Sequence, residues 1–181
     1  DNIKAAGNAN NDWVVTWRLL DAAGMGTSIE EVTAVFEGLY QGTENRIPLH
    51  QSERLIGCRD TLTELKTKYR LGIVTGRPRE DAERFLIDFN LVDLFDSVIC
   101  MEDGPPKPSP VPVHAALSAL GVERAWMLGD TPDDMVAARE AGVLPIGVVA
   151  PNATGPISTT LLESGAAIVL DQWEQIKERL S

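Results

Sequence analysis

Apolar positions change their rhythm near residue 57. Before it, they recur at helical spacing and no strand pattern appears. Trp13, Trp17 and Leu20 fall at i, i+4 and i+7, one stripe of a helix that Asn11 or Asp12 can cap. A Gly24–Gly26 turn follows. Ser28 then opens a second helix with Glu31 as its capping-box partner, and Ile29, Val32, Phe36 and Leu39 form its apolar face. Gly42 ends it, and Pro48 lies in the connection beyond.

From Cys58 onward short apolar runs alternate with amphipathic stretches. Helices are predicted at about 59–69, 79–89, around 113–120, and at 133–141. The intervening runs LGIVTG, SVICM, AWMLG and PIGVVA read as strands. A last helix–strand–helix occupies roughly 156–180, with Ala167–Leu170 as its strand and Trp173, Ile176 and Leu180 facing inward from the final helix. Strands that are apolar throughout and alternate with helices indicate a parallel sheet covered on both faces. The expected fold is α/β: a doubly wound, Rossmann-like core over 57–181, preceded by a helical subdomain over 1–56.

Composition narrows the function. The chain has 181 residues, 44% of them hydrophobic and 24% charged. Its formal charge of -11 makes it a poor coat for nucleic acid or an anionic membrane. No apolar run approaches the length of a membrane span. Two cysteines, Cys58 and Cys100, exclude a disulfide scaffold and read as small apolar fillers. His50 and His114 lie too far apart in sequence to argue for a histidine-based hydrolase.

Chemistry gathers where strands end, the edge at which open parallel sheets bind ligands. One end carries Thr75, Gly76, Arg77 and Pro78. A second carries Glu102 and Asp103, then Lys107 within GPPKPSP. A third carries Asp130, Thr131, Pro132, Asp133 and Asp134. A hydroxyl, an ammonium and carboxylates on one edge suit a phosphate with a hard divalent cation. Thr131 also reads as a plain N-cap with Pro132 at N1, a role that leaves Asp130 unexplained. Asp134, one turn on, can point back at the same place, while Asp133 is expected to be solvated. The flanking prolines stiffen the mount of Lys107. Arg77 reads equally as a phosphate ligand or a surface residue. Trp13 and Trp17 read as core of the helical part. Asn8, Asn10, Asn11 and Asp12 crowd one helix start, so Asn10 and Asn11 are candidates for reading a substrate, against the plainer role of a well-capped terminus.

LGIVTGRP, the lysine of GPPKPSP, and LGDTPDDMVAAREAG together resemble motifs two, three and four of the haloacid dehalogenase superfamily, in its phosphoglycolate phosphatase-like branch. The resemblance covers most of 58–150. It implies a phosphate-binding role for Thr75, charge neutralisation by Lys107, and Mg²⁺ binding by Asp130 with Asp134 in support. It places GNANNDW, 7–13, where a substrate-selecting cap begins. The family's first motif, an aspartate pair spaced D-x-D after an apolar strand, is absent. Asp1 has no strand before it, and Asp12 opens a helix.

The resemblance therefore implies a Mg²⁺-dependent hydrolase of a small phosphorylated metabolite, working through an aspartyl-phosphate whose nucleophile lies in an upstream segment. The chain alone is expected to be inactive. Without the nucleophile strand, the remaining strands are expected to leave two unpaired inner edges around a slot. Three alternatives stand beside this reading: a dehalogenase needing no Mg²⁺, a sugar-phosphate mutase, and a non-catalytic binding or regulatory module. A monomer or homodimer in the cytoplasm, with no nucleic-acid or membrane partner, is expected; organellar targeting upstream of Asp1 stays open.

Overall fold

The computed structural model describes residues 11–151, 153 and 155–180. The chain divides into two compact units, with Asn11–Ile56 as one and the residues from Gly57 as the other.

The first unit is a helical hairpin. Helix α1 spans Asp12–Ala22 and α2 spans Ile29–Tyr40. Asn11, not Asp12, caps α1 by accepting the Val14 N–H at 3.0 Å. Ser28 and Glu31 form the reciprocal box at α2: the Ser28 N–H donates to Glu31 Oε2 at 2.9 Å, and the Glu31 N–H donates to Ser28 Oγ at 3.2 Å. Trp13 meets the edge of Phe36 at 6.2 Å, and Phe36 stacks on Tyr40 at 6.0 Å. The Trp17 indole N–H donates to the Thr27 carbonyl at 3.0 Å, tying the turn to α1. Val32, on the expected apolar face, is buried.

The second unit alternates helix and strand. Its elements are α3 Arg59–Lys66, β1 Gly72–Val74, α4 Arg79–Asp88, β2 Ser97–Ile99, α5 Val111–Leu120, β3 Trp126–Gly129, α6 Pro132–Glu140, β4 Leu144–Val148, α7 Ile157–Glu163, β5 Ile168–Leu170 and α8 Ile176–Arg179. All pairings are parallel, as the uniformly apolar runs require. Helices cover both faces. Val113 of α5 packs with Ala137 and Ala138 of α6 beside Met127. On the other face Ile146, Leu170 and Ile176 pack with Leu65 and Trp173. Met135, Leu161, Ile146 and Ile176 are fully buried, each contributing about 1.5–3 kcal/mol of hydrophobic stabilisation.

Among the described residues, the strands do not form one continuous sheet. β1 and β2 pair by themselves, and β3, β4 and β5 form a second sheet in that order. A largely apolar cleft of about 760 Å³ is lined by both β1 and β3. Several strands are also shorter than their apolar runs. SVICM gives strand over Ser97–Ile99, and Met101–Asp103 turns into a 3₁₀ segment. Near the C-terminus, Trp173–Gln175 is likewise 3₁₀, leaving α8 only four residues long.

Two expectations need correction. Cys58 is exposed at the N-cap of α3 rather than filling the core, whereas Cys100 is buried. Asp133, expected in solvent, is 5% exposed. It occupies N2 of a helix whose Pro132, Asp134, Met135, Ala137 and Ala138 are all buried, so α6 has little solvent face for it.

Candidate active site

Each strand end is shaped by local chemistry. After β1, the Thr75 N–H donates to the Ile99 carbonyl at 2.9 Å, extending the β1–β2 ladder. The Arg77 N–H then donates to Thr75 Oγ1 at 3.2 Å, which curls the loop around that hydroxyl. Gly76 is half-buried within it. Arg77 lies with its guanidinium 5.1 Å from the centre of the Phe85 ring of α4, a cation–π contact.

After β2, the two carboxylates serve α4. Glu102 Oε1 accepts the Arg79 N–H at 3.0 Å, capping a helix whose N-cap residue, Pro78, brings no side-chain acceptor. Asp103 accepts the Cys100 N–H at 2.7 Å and pairs with Arg79 at 2.5 Å. Those two contacts, the backbone donor first, hold the Asp103 carboxyl below the usual carboxylate range. Burial pushes the neighbouring Cys100 thiol up.

Lys107 leaves this segment and reaches the other two strand ends. Its Nζ donates to the Val74 carbonyl at 3.3 Å, at the close of β1. It also sits 2.5 Å from Asp134 Oδ1, with the two side chains 12% and 6% exposed. Asp134 is further held by the first turn of α6. Its Oδ2 accepts from the Thr131 hydroxyl at 2.7 Å and the Thr131 N–H at 3.1 Å, and its own N–H donates back to Thr131 Oγ1 at 3.2 Å.

Gly129 makes this approach possible. A Cβ there would come within 2.3 Å of Asp134 Cβ, so a side chain at the end of β3 would expel the carboxylate. Asp130, the next residue, is exposed and lines the cleft.

Lys107 thus brings the Val74–Thr75 end of β1 and the Gly129–Asp134 turn after β3 to one place. Asn11, by contrast, belongs to the helical unit and is used as an N-cap. Asn10 lies outside the described residues. Among the described residues, no group of three His, Cys, Asp or Glu side chains is arranged to hold a metal ion. Asp130 lines the cleft and Asp134 stands at N3 of α6; two carboxylates are a donor set of the size Mg²⁺ takes when waters and substrate phosphate complete its shell. Sequence reasoning gave Asp134 a metal role and missed its bond to Lys107. The fixed spacing of Thr131 and Asp134 is a local signal for the cap, whereas Lys107 arrives from a loop distant in sequence.

The family model of the haloacid dehalogenase-like hydrolases matches residues 19–148. The chain belongs to this family. A Phytophthora nicotianae protein named imidazoleglycerol-phosphate dehydratase is 44% identical over 184 residues, covering 97% of this chain and 40% of that protein. Pyrophosphatase PpaX of Bacillus velezensis is 41% identical over 93 residues, covering 49% of this chain and 43% of its own. The chain therefore spans about two fifths of these relatives. Among solved structures, one from Thermotoga maritima, provisionally described as a beta-phosphoglucomutase, superposes with a TM-score of 0.68 at 25% identity, covering 90% of this chain and 74% of that one. A structure from Haemophilus somnus, whose description as a phosphoglycolate phosphatase is itself a prediction, superposes at 0.74 with 20% identity, covering 99% and 82%; it speaks to fold alone. The α/β architecture is thus that of the family, and the relatives of this chain include proteins named pyrophosphatase and phosphoglycolate phosphatase. Among the described residues, no helix is long and apolar enough to cross a membrane.

Proposed function

We propose that this chain is part of a Mg²⁺-dependent hydrolase of small phosphomonoesters. In this reading the nucleophilic carboxylate comes from a segment outside the 181 residues. The observation that carries it is Lys107, braced between the Val74 carbonyl and Asp134 so that three strand ends share one cationic group.

The chemistry follows from these groups. A carboxylate oxygen attacks phosphorus, a P–O bond forms, and the ester P–O bond breaks as the leaving oxygen takes up a proton and departs as the alcohol, a proton that the water of the second step gives back. Water then hydrolyses the acyl phosphate, returning the carboxylate and releasing phosphate. Lys107 stabilises negative charge on the phosphoryl oxygens, and the Thr75 hydroxyl with the N–H groups of its loop orients them. Asp130, with Asp134 beside it, would hold Mg²⁺, which supplies charge neutralisation at the transferring group. The helical unit would serve as the substrate-selecting cap.

The test is phosphate release with Mg²⁺ from phosphoglycolate, pyrophosphate, sugar phosphates and an imidazole-bearing phosphomonoester, the last prompted by the name of the Phytophthora relative. The chain alone is expected to be inactive. The same chain preceded by an apolar strand ending in D-x-D is expected to turn over at least one of them, and to lose turnover on Asp130→Asn. Activity of the chain alone, or unchanged activity in Asp130→Asn, would overturn the proposal. The Thermotoga likeness supports a second reading, a sugar-phosphate mutase; isomerised sugar phosphate in place of free phosphate would select it.

A further inference from the structure

Glu102 and Asp103 follow β2, yet the reaction proposed above gives them no part. Acids near an anion site are a liability, because like charges repel. Their partners account for their presence. Glu102 Oε1 accepts the Arg79 N–H, the first amide of α4, at 3.0 Å. Asp103 accepts the Cys100 N–H at 2.7 Å and pairs with the Arg79 guanidinium at 2.5 Å. Both acids therefore serve the start of α4, where the loop from β1 ends.

That loop carries the groups assigned to phosphate. It is stitched to the β2 side at three backbone points. The Thr75 N–H donates to the Ile99 carbonyl at 2.9 Å, the Met101 N–H donates to the Arg77 carbonyl at 3.1 Å, and the Arg79 N–H ends on Glu102. Within the loop, Thr75 Oγ1 accepts the Arg77 N–H at 3.2 Å, which leaves the hydroxyl hydrogen to donate elsewhere. Among the described residues, no hydrogen bond engages the Gly76 N–H. The Thr75 hydroxyl and the Gly76 N–H are thus the donors that the stitched loop presents.

Two of the three stitches run from backbone to backbone. The third needs a side chain. Pro78, at the N-cap of α4, brings no side-chain acceptor, so the acceptor comes from Glu102 across the loop. The Arg79–Asp103 pair also ties the two segments, but its long side chains are 41% and 32% exposed, and such pairs fix geometry weakly.

We propose that Glu102 is a positioning residue for phosphate recognition. It fixes the first turn of α4 against the end of β2 and so holds the Thr75 hydroxyl and the Gly76 N–H in the spacing that phosphoryl oxygens require. It touches neither phosphate nor metal. The identity of the anion rests on the hydrolase reading above. Because Glu102 is exposed, water screens its charge, and the acceptor oxygen rather than the negative charge does the positioning. An amide in its place should therefore serve as well, and a hydrocarbon should not.

Inorganic phosphate with Mg²⁺ is titrated into the chain and followed at the Thr75 and Gly76 backbone resonances. Glu102→Gln keeps an acceptor oxygen and is expected to bind within about twofold of the parent. Glu102→Leu removes it and is expected to bind at least about tenfold more weakly, since small misplacements of aligned groups cost one to two orders of magnitude. Amide exchange at Arg79 should quicken by about tenfold in Glu102→Leu and stay at the parent rate in Glu102→Gln. Exchange at Met135 and Ile146, deep in the core, should be unchanged in both. Arg79→Pro deletes the donor instead, at the helix position where proline fits. It is expected to weaken phosphate binding likewise, and Glu102→Leu added to it should cost nothing more.

Parent-like binding by Glu102→Leu, tighter binding by both Glu102 variants, or an equal loss in Glu102→Gln would each overturn this role of Glu102 while leaving the hydrolase reading in place. Phosphate bound by none of the proteins, the parent included, would overturn both.

Discussion

Lys107→Met offers the sharpest stability test of the site. The substitution keeps the aliphatic stem and removes the ammonium 2.5 Å from Asp134 Oδ1. Asp134 would remain buried, with Oδ1 sealed from solvent and no counter-charge against it. At 12% and 6% side-chain exposure, water screens the pair weakly. Breaking such a pair costs about 3–5 kcal/mol, against a domain stability on the order of 5–15 kcal/mol. With a urea dependence of about 1–3 kcal/mol per molar, the midpoint should fall by on the order of 2 M. Adding Asp134→Asn removes the orphaned charge while its amide oxygen still accepts from Thr131. The double variant should therefore recover to within about 1–2 kcal/mol of the parent, the coupling expected of directly contacting groups. Urea unfolding followed by far-UV dichroism measures all three proteins. A loss below about 1 kcal/mol for Lys107→Met, the size of a surface pair, would refute the claim that this ion pair holds the strand ends together.

Other consequences follow from single residues. Gly129→Ala forces a Cβ to within 2.3 Å of Asp134 Cβ and should cost about 1–3 kcal/mol in the same assay. A thiol reagent should label Cys58 rapidly in the native chain and Cys100 only on unfolding, because one is exposed and the other is buried with its thiol pushed up; rapid reaction of both would contradict the placement. Asp96 accepts from Lys66 and from the Leu71 N–H at the start of β1, contacts that hold its carboxyl below the ordinary range. A depressed carboxyl contributes stability above its unfolded pKa and loses it as pH falls through the folded one. The stability gap between the parent and Asp96→Asn should thus be flat above about pH 5 and close progressively below about pH 4.

Local signals read well from sequence. Ser28 with Glu31, and Thr131 with Pro132 and Asp134, carry their helix starts in the spacing of a few residues, and both boxes form. The parallel sheet was legible because its strands are apolar at every position rather than every second one. Long-range partnerships were not. Nothing near Glu102 or Asp103 announces that Arg79 will engage both, because that pairing depends on β2 ending beside the start of α4. Asp133 was hidden for a related reason. Its neighbours read as a helix start with one solvent face, but α6 is enclosed along most of its length. Cys58 erred the other way: a small apolar residue at a helix N-cap has no core to fill. The break into two sheets among the described residues was not legible, since each strand taken alone looks ordinary.

In the proposed function, Thr75, Lys107 and Asp130 serve one anion and its cation. Titrating inorganic phosphate with Mg²⁺ into isotopically labelled chain, and following backbone and lysine Nζ resonances, addresses it directly. Concerted, saturable shifts at Thr75, Gly76, Lys107 and Asp130 with a common midpoint are expected. Shifts confined to one strand end, or midpoints that differ among the four residues, would contradict it.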